Sequence, residues 1–140
     1  MARTIQPPGW PRPRGYSNGM AARGEFLAIA GQIGWDEHER LVGHDFPSQF
    51  RRALENVRAV VEAAGGAPEH VVSMTIFVTD RSDYLGNLAQ VGEIYRAVMG
   101  RHFPAMALVE VAALLEPGAV VEIQAFAVLP TAGPSEETTP

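Results

Sequence analysis

The chain has 140 residues, 46% of them hydrophobic and 19% charged, which is the balance expected of a globular protein with a single core. Its formal net charge is −5, which argues against a nucleic-acid partner because binding to phosphates needs clustered cations. It contains no cysteine, so disulfides, thiolate catalysis and cysteine-ligated metals are excluded.

The two ends of the chain differ in composition from the middle. Residues 1–14 are rich in proline and predict an extended N-terminal arm, whereas residues 131–140 are polar and predict a disordered tail. The intervening residues 15–130 are expected to form one domain. No segment has the apolar core of a signal peptide or the length of a membrane span, which predicts a cytoplasmic protein without a membrane partner.

The first half of the domain changes from a strand period to a helix period. Residues 16–23 and 25–33 are predicted to be two strands of a hairpin, with Arg23-Gly24 as the turn. From Pro47 onward, apolar residues recur at i, i+3 and i+4 spacing, which predicts an amphipathic helix. Gly65-Gly66 is predicted to end that helix.

The second half contains a β-branched run at residues 70–78 and then a helical pattern, predicted to begin at an N-cap, Ser82, and to end at Gly100. Residues 105–115 and 119–129 are predicted to be strands of an antiparallel hairpin, because Glu116-Pro117-Gly118 is typical of a turn. The whole pattern predicts an α+β fold in which two helices pack on one face of a mixed sheet.

Most familiar catalytic motifs are absent or out of context. The run GYSNG matches the nucleophile elbow G-x-S-x-G, but a proline-rich arm precedes the serine and a strand-like run follows it, so the match is interpreted as chance. The four histidines lack metal-site spacing, and no glycine-rich loop precedes a helix. We therefore predict no metal and no cofactor.

Two carboxylates interrupt the apolar runs AMALVEV and AVVEIQA. An ionised carboxylate in a buried strand costs several kcal/mol (about 3 to 5) unless it is paired. Alternation along the strands places Met106, Leu108 and Glu110 on one face, and places Glu122 opposite Val121. Spacing alone favours a solvent-facing Glu110, and leaves open whether Glu122 faces solvent or borders a cleft.

The chain resembles the RidA (YjgF) family of imine and enamine deaminases. The resemblance is carried by GYSNG, AGQIG, ALENVRAVVEAAG, VVSMTIFVTD and FPAMALVEVAAL…VVEIQAFAV, which occur in the family's order from about residue 16 to residue 128. It implies a chorismate-mutase-like fold, a homotrimer with clefts between subunits, and cofactor-free hydrolysis of a small imine to ammonia and a carbonyl compound.

The resemblance also implies a set of site residues. Glu122 matches the family's water-activating glutamate, and the substrate-binding positions are Tyr16, Gly31, Gln32, Ile33, Met106 and Leu108. Met106 stands where the family has an arginine that clamps the substrate carboxylate, and Leu108 stands where it has a cysteine. Trp35, just after the G-Q-I turn, is expected either to wall the cleft or to pack at a subunit contact.

These residues predict a divergent imine or enamine hydrolase that acts on a larger or less anionic substrate than the usual 2-imino acids. Methionine offers an apolar surface where arginine would offer a bidentate pair. Arg14, Arg23 and Arg101 are candidates for a replacement cation. The alternatives are a small-molecule-binding or regulatory protein without turnover, and an endoribonuclease or translation inhibitor, against which the acidic charge argues.

Overall fold

The architecture is a four-stranded mixed sheet covered on one face by helices, in a computed structural model that describes residues 2–131. The chain is α+β, as predicted. The strands are β1 (Arg3–Ile5), β2 (Gly19–Ala21), β3 (Glu25–Ile33), β4 (Val71–Val78), β5 (Ala105–Glu110) and β6 (Val121–Leu129). The helices are α1 (Phe46–Ala63), α2 (Arg81–Leu85) and α3 (Leu88–Met99), and Pro68–His70 form a 3-10 turn.

The main sheet has the order β3-β6-β4-β5. β6 pairs antiparallel with β3 and with β4, while β5 pairs parallel with β4 at the edge. A parallel pair needs a long crossover, and residues 79–104, which contain α2 and α3, provide it. Among residues 2–131 no helix is both long enough and apolar enough to cross a bilayer.

Helix α1 forms where the apolar stripe predicted it. Asp45 is the N-cap and its carboxylate accepts a hydrogen bond from the Ser48 N–H at 3.0 Å, while Pro47 occupies the first turn. Phe50, Leu54 and other residues of the stripe pack against the alternate, fully buried residues of β6, which form the core. Burial of this stripe stabilises the helix far more than its intrinsic propensity.

The predicted N-terminal hairpin is wrong. β2 pairs with β1, so the proline-rich arm contributes a short strand, and β3 pairs instead with β6. Gly24 has φ +147°, and a side chain there would collide with the Leu129 backbone at the end of β6. The chain therefore turns at Gly24 to enter the main sheet beside β6, and does not fold back on β2.

The predicted C-terminal hairpin is also wrong. β5 ends at Glu110, and β6 crosses to the middle of the sheet, two positions away from β5. The turn at Glu116-Pro117-Gly118 exists, with φ +87° at Gly118, but it lies inside a longer connection. A central position buries the alternating apolar residues of β6 against the helices, which an edge position would leave partly exposed.

The second predicted helix is divided in two. Asp80, and not Ser82, is the N-cap of α2, and the chain leaves the helix at Gly86-Asn87 before α3 begins. The described residues thus contain three α-helices where two were predicted. Gly100 ends α3 with φ +72°, as predicted. The predicted disordered tail lies outside the described residues, except for Thr131.

Candidate active site

Glu122 lies on the face of the sheet that the helices leave uncovered. It is half-buried in β6, between Ile33 of β3 and Phe77 of β4. Its neighbours along the strand, Val121 and Ile123, are fully buried on the helix side. The alternation predicted from the sequence is confirmed.

The Glu122 side chain lies directly against the backbone of Gly31. A Cβ at Gly31 would come within 2.8 Å of the carboxyl carbon and closer to one carboxylate oxygen, so only glycine leaves room for this arrangement. The β3–β6 register shifts between Ile29 and Gln32, and this bulge takes the Gly31 backbone out of the regular ladder. Among residues 2–131 no arginine or histidine lies within ion-pair distance of Glu122.

A carboxylate in this position has the features of a proton acceptor. It is held by a strand at the centre of the sheet, and it is not neutralised by a described counter-ion. The bulge beside it takes Ala30 and Gly31 out of the register with β6. Gln32, at the same bulge, donates its side-chain amide to the Ala30 carbonyl at 3.0 Å.

A second group of predicted residues borders a cavity of about 200 Å³ beside β5, the edge strand of the sheet. Eight residues line this space, the Met106 cavity: Arg14, Gly15, Tyr16, Ile76, Tyr84, Met106, Ala107 and Leu108. The structure therefore brings together the predicted positions 16, 106 and 108. Tyr84 belongs to no predicted site, because the sequence pattern placed it within a longer helix.

Ser17 holds this cavity wall in place. Its hydroxyl donates to the Phe103 carbonyl at 2.5 Å and its N–H donates to the Pro104 carbonyl at 3.1 Å, so the segment bridges to Ala105 at the start of β5. Ser17 is buried. The serine of the G-x-S-x-G match is thus structural, and it positions Tyr16 beside Met106.

The turn before β5 is fixed by an aromatic pair and a tyrosine hydroxyl. Tyr95 stacks on Phe103 with ring centroids 5.3 Å apart, and its hydroxyl donates to the His102 carbonyl at 2.5 Å. Burial raises the pKa of Tyr95 well above its ordinary value, which keeps the hydroxyl a neutral donor. The His102 Nε2 atom lies 2.6 Å from the Val71 carbonyl. Across residues 2–131 no cluster of three or more His, Asp or Glu side chains is placed to hold a metal ion.

The two groups of site residues do not meet within one chain. Met106 neighbours the buried Met74 on the helix side, whereas Glu122 neighbours Phe77 on the uncovered side. Strand spacing and rise place the Cα atoms of Met106 and Glu122 about 14 Å apart. A single chain therefore presents two candidate half-sites, one around Glu122 and one around Met106, on opposite faces of the sheet.

Glu110 and Trp35 are two further candidate residues, and neither of them lines the Met106 cavity. Glu110 is exposed, as spacing favoured, and its carboxylate accepts a hydrogen bond from the Arg81 N–H at 2.9 Å, at the first turn of α2. The Trp35 carbonyl accepts from the side chains of Arg52 and Asn56, which ties this residue to α1. Trp35 is not among the residues that line the Met106 cavity.

Comparison with known proteins identifies the family. The family model described as endoribonuclease L-PSP matches residues 11–129. A 2-iminobutanoate/2-iminopropanoate deaminase of Salmonella typhimurium is 38% identical over 132 residues, which cover 91% of this chain and 98% of that protein. A RutC family protein of Pyrococcus horikoshii is 38% identical over 119 residues, covering 84% of this chain and 90% of that protein.

A solved structure supports the same relationship. The Rid family protein YyfB of Yersinia pestis superposes with a TM-score of 0.81 and 32% identity, over 91% of this chain and 98% of that one. The likeness thus extends over nearly the whole described chain in both sequence and fold. The chain belongs to the endoribonuclease L-PSP family, the RidA (YjgF) family that its sequence resembles.

Proposed function

We propose that the protein is a cofactor-independent hydrolase of a reactive imine or its enamine tautomer. Water adds to the C=N carbon, and the products are a carbonyl compound and ammonia. The observation that carries the proposal is the half-buried Glu122 carboxylate, which lies against Gly31 and has no described counter-ion. The deaminase name of a relative that is 38% identical supports the same chemistry.

Glu122 is proposed to act as the general base. Its carboxylate takes a proton from water as the oxygen attacks the imine carbon, and passes this proton to the nitrogen to give a carbinolamine. The same carboxylate then moves the hydroxyl proton of the carbinolamine to the nitrogen, the C–N bond breaks, and the products are the carbonyl compound and ammonia. The peptide groups of residues 31–33 are the proposed donors that orient the water or the substrate. Tyr16 is proposed to hydrogen-bond the substrate from the other half-site.

We further propose that the site is completed between copies of the chain in a homotrimer. The uncovered sheet face is apolar: Phe26 is 65% exposed and stacks on Phe126 at 5.4 Å, and Val109 is 41% exposed. A neighbouring copy that covers this face removes its apolar surface from water. The same contact would place the Met106 cavity of one copy beside Glu122 of another copy, and so join the two half-sites.

The proposed substrate is larger than the common small 2-imino acids. Ile76, Met106 and Leu108 give the cavity an apolar floor, which a substrate with little besides a carboxylate leaves uncovered. Turnover of 2-iminobutanoate, generated in situ, is therefore expected to be slower than turnover of imines with a branched or aromatic side chain. Equal or faster turnover of 2-iminobutanoate contradicts this part of the proposal.

Glu122→Gln tests the chemistry. The amide keeps the shape of the side chain but does not accept the proton, so we expect kcat to fall by about 10²- to 10⁴-fold. Ammonia release from an imine made in situ is the measurement. Glu110→Gln is the matched control, because Glu110 is exposed and outside both half-sites, and it should leave kcat unchanged. Full activity of Glu122→Gln would show that Glu122 is not the base.

Ligand binding without turnover is the second candidate function. The apolar lining of the Met106 cavity favours it, since such a cavity binds a small molecule whether or not chemistry follows. Protection of the protein against thermal unfolding by a 2-oxo acid, together with no ammonia release from any imine tested, would select this alternative.

Cleavage of RNA, which the description of the family model suggests, is a poorer candidate. The chain carries a net charge of −5, which disfavours binding to the phosphates of RNA. Binding of single-stranded RNA that weakens with added salt would reverse this assessment.

A further inference from the structure

The Met106 cavity contains one charged side chain. Of the eight residues that line it, Arg14 is the one with a formally charged side chain, and the others are apolar, tyrosine or glycine. Among residues 2–131, no carboxylate lines the cavity beside Arg14. Arg14 is exposed, but it stands beside an apolar wall that lowers the local dielectric, so it attracts an anion more strongly than an arginine on an open polar surface.

Within residues 2–131, Arg14 has no ion-pair partner that would compete with a ligand. The described ion pairs of arginines join Arg52 to Glu37 and Arg58 to Glu62, and Arg14 takes part in none of them. A guanidinium offers five N–H donors in a planar fork that matches a carboxylate.

The local backbone explains why Arg14 reaches this cavity. Gly15 has φ +74°, a conformation that favours glycine, and it reverses the chain between Arg14 and Tyr16 so that both border the same space. The hydrogen bonds of Ser17 to Phe103 and Pro104 then hold the segment against β5. The other two candidate cations lie elsewhere: Arg101 borders a larger cleft beside the arm, and Arg23 lies in a depression with Arg3.

We infer that Arg14 binds the carboxylate of the substrate, in the place of the cation that position 106 does not supply. Met106 and Leu108 then contact an apolar side chain on the same molecule. The substrate class that follows is an imine of a 2-oxo acid with a branched or aromatic side chain. This inference rests on the proposed function for the imine, but the recognition of the acid rests on the cavity alone.

The test is calorimetric titration with 4-methyl-2-oxopentanoate, an acid of the proposed product class, and with its neutral amide. Arg14→Met should weaken binding of the acid by about 10- to 100-fold, the effect of losing a hydrogen-bonded charge pair. Arg23→Met is the matched control, with the same loss of charge outside the cavity, and should leave the affinity within about twofold. The amide should bind weakly to all three proteins.

A second variant tests the position of the carboxylate. Met106 lines the same cavity, so Met106→Arg, combined with Arg14→Met, returns a guanidinium to it and should restore most of the affinity. A double variant that binds no better than Arg14→Met overturns the placement of the acid in this cavity. Absence of binding by the unmodified protein, or equal loss in Arg14→Met and Arg23→Met, overturns the inference as well.

Turnover separates this inference from the proposed function. If Arg14→Met raises the dissociation constant of the acid while no imine is hydrolysed, the recognition site stands and the deaminase function fails. If imines are hydrolysed with dependence on Glu122, and Arg14→Met changes neither KM nor acid binding, the function stands and the role of Arg14 fails.

Discussion

At the scale of single residues, Glu122 and Gly31 form one unit. The carboxylate occupies the space in which any other residue at position 31 would place its Cβ. The bulge in β3 brings this backbone close to β6, so the contact depends on both the missing side chain and the register shift. The pair therefore fixes where the proposed base points.

Gly31→Ala tests this unit. The new methyl group collides with the end of a flexible side chain, so Glu122 should rotate away at little cost in stability, while kcat/KM falls by about 10- to 100-fold because the base is misplaced. Ammonia release and thermal melting measure the two effects. In a Glu122→Gln background the same change should cause little further loss, whereas additive losses would argue against a shared role.

At the scale of elements, Gln49 links α1 to the segment that leads into β6. It is completely buried, and its amide donates to the Gly43 and Gly118 carbonyls while its oxygen accepts from the Val120 N–H, each at 2.9 Å. This buried polar network positions the chain just before Glu122. Since the buried Gln49 amide needs its hydrogen bonds, it favours the position of the segment in which these three backbone groups reach it.

Gln49→Leu should destabilise the protein by about 1 to 3 kcal/mol, because one N–H and two carbonyls of a part-buried network lose their partner. Urea denaturation measures the change. Gln90→Leu, the same substitution at an exposed site on α3, is the control and should change stability by less than about 0.5 kcal/mol. Equal stabilities of the two variants would contradict the role assigned to Gln49.

The N-cap of α1 predicts a pH dependence. The Ser48 N–H, followed by the Ser48 side chain, lowers the pKa of Asp45 below its ordinary value, so folding favours the ionised carboxylate. The stabilisation is complete above the unfolded-state pKa and is lost as pH falls through the lowered folded-state pKa.

Asp45→Ala should therefore cost about 1 kcal/mol at pH 7 and less at pH 3. Denaturant titration at both pH values measures this. Asp45→Asn keeps an acceptor that does not titrate, so its stability relative to Asp45→Ala should stay constant with pH. If the stability cost of Asp45→Ala grows as the pH is lowered, the predicted direction of the pH dependence is wrong.

At the scale of the whole molecule, the sheet has one covered face and one uncovered face. Phe26→Glu places a charge on the uncovered face, beside Phe126, and should dissociate the proposed homotrimer, with loss of any activity that needs two chains. Light scattering measures the assembly. Leu88→Glu, on the helix side, is an exposed control and should leave it intact. A monomeric parent protein would contradict the proposal directly.

Local patterns in the sequence determined the α+β class, the position of α1 and the face on which Glu122 lies. Each depends on a period of a few residues or on a cap, and such signals are complete within a short segment. The resemblance to the RidA family also named the positions Tyr16, Gly31, Met106 and Leu108 as a site. Neither source identified which of those positions meet within one chain.

Strand pairing, and which arginine borders the Met106 cavity, were decided only by the tertiary structure. Turn-like residues at Glu116-Pro117-Gly118 predicted a hairpin, but β6 lies between β3 and β4, where its own alternate apolar residues are buried against the helices. Likewise, the sequence named Arg14, Arg23 and Arg101 as candidates for a replacement cation and did not rank them. The bond from Ser17 to Phe103, between residues 86 positions apart, is what brings Arg14 and not the others to Met106, because such contacts form only when the chain has folded.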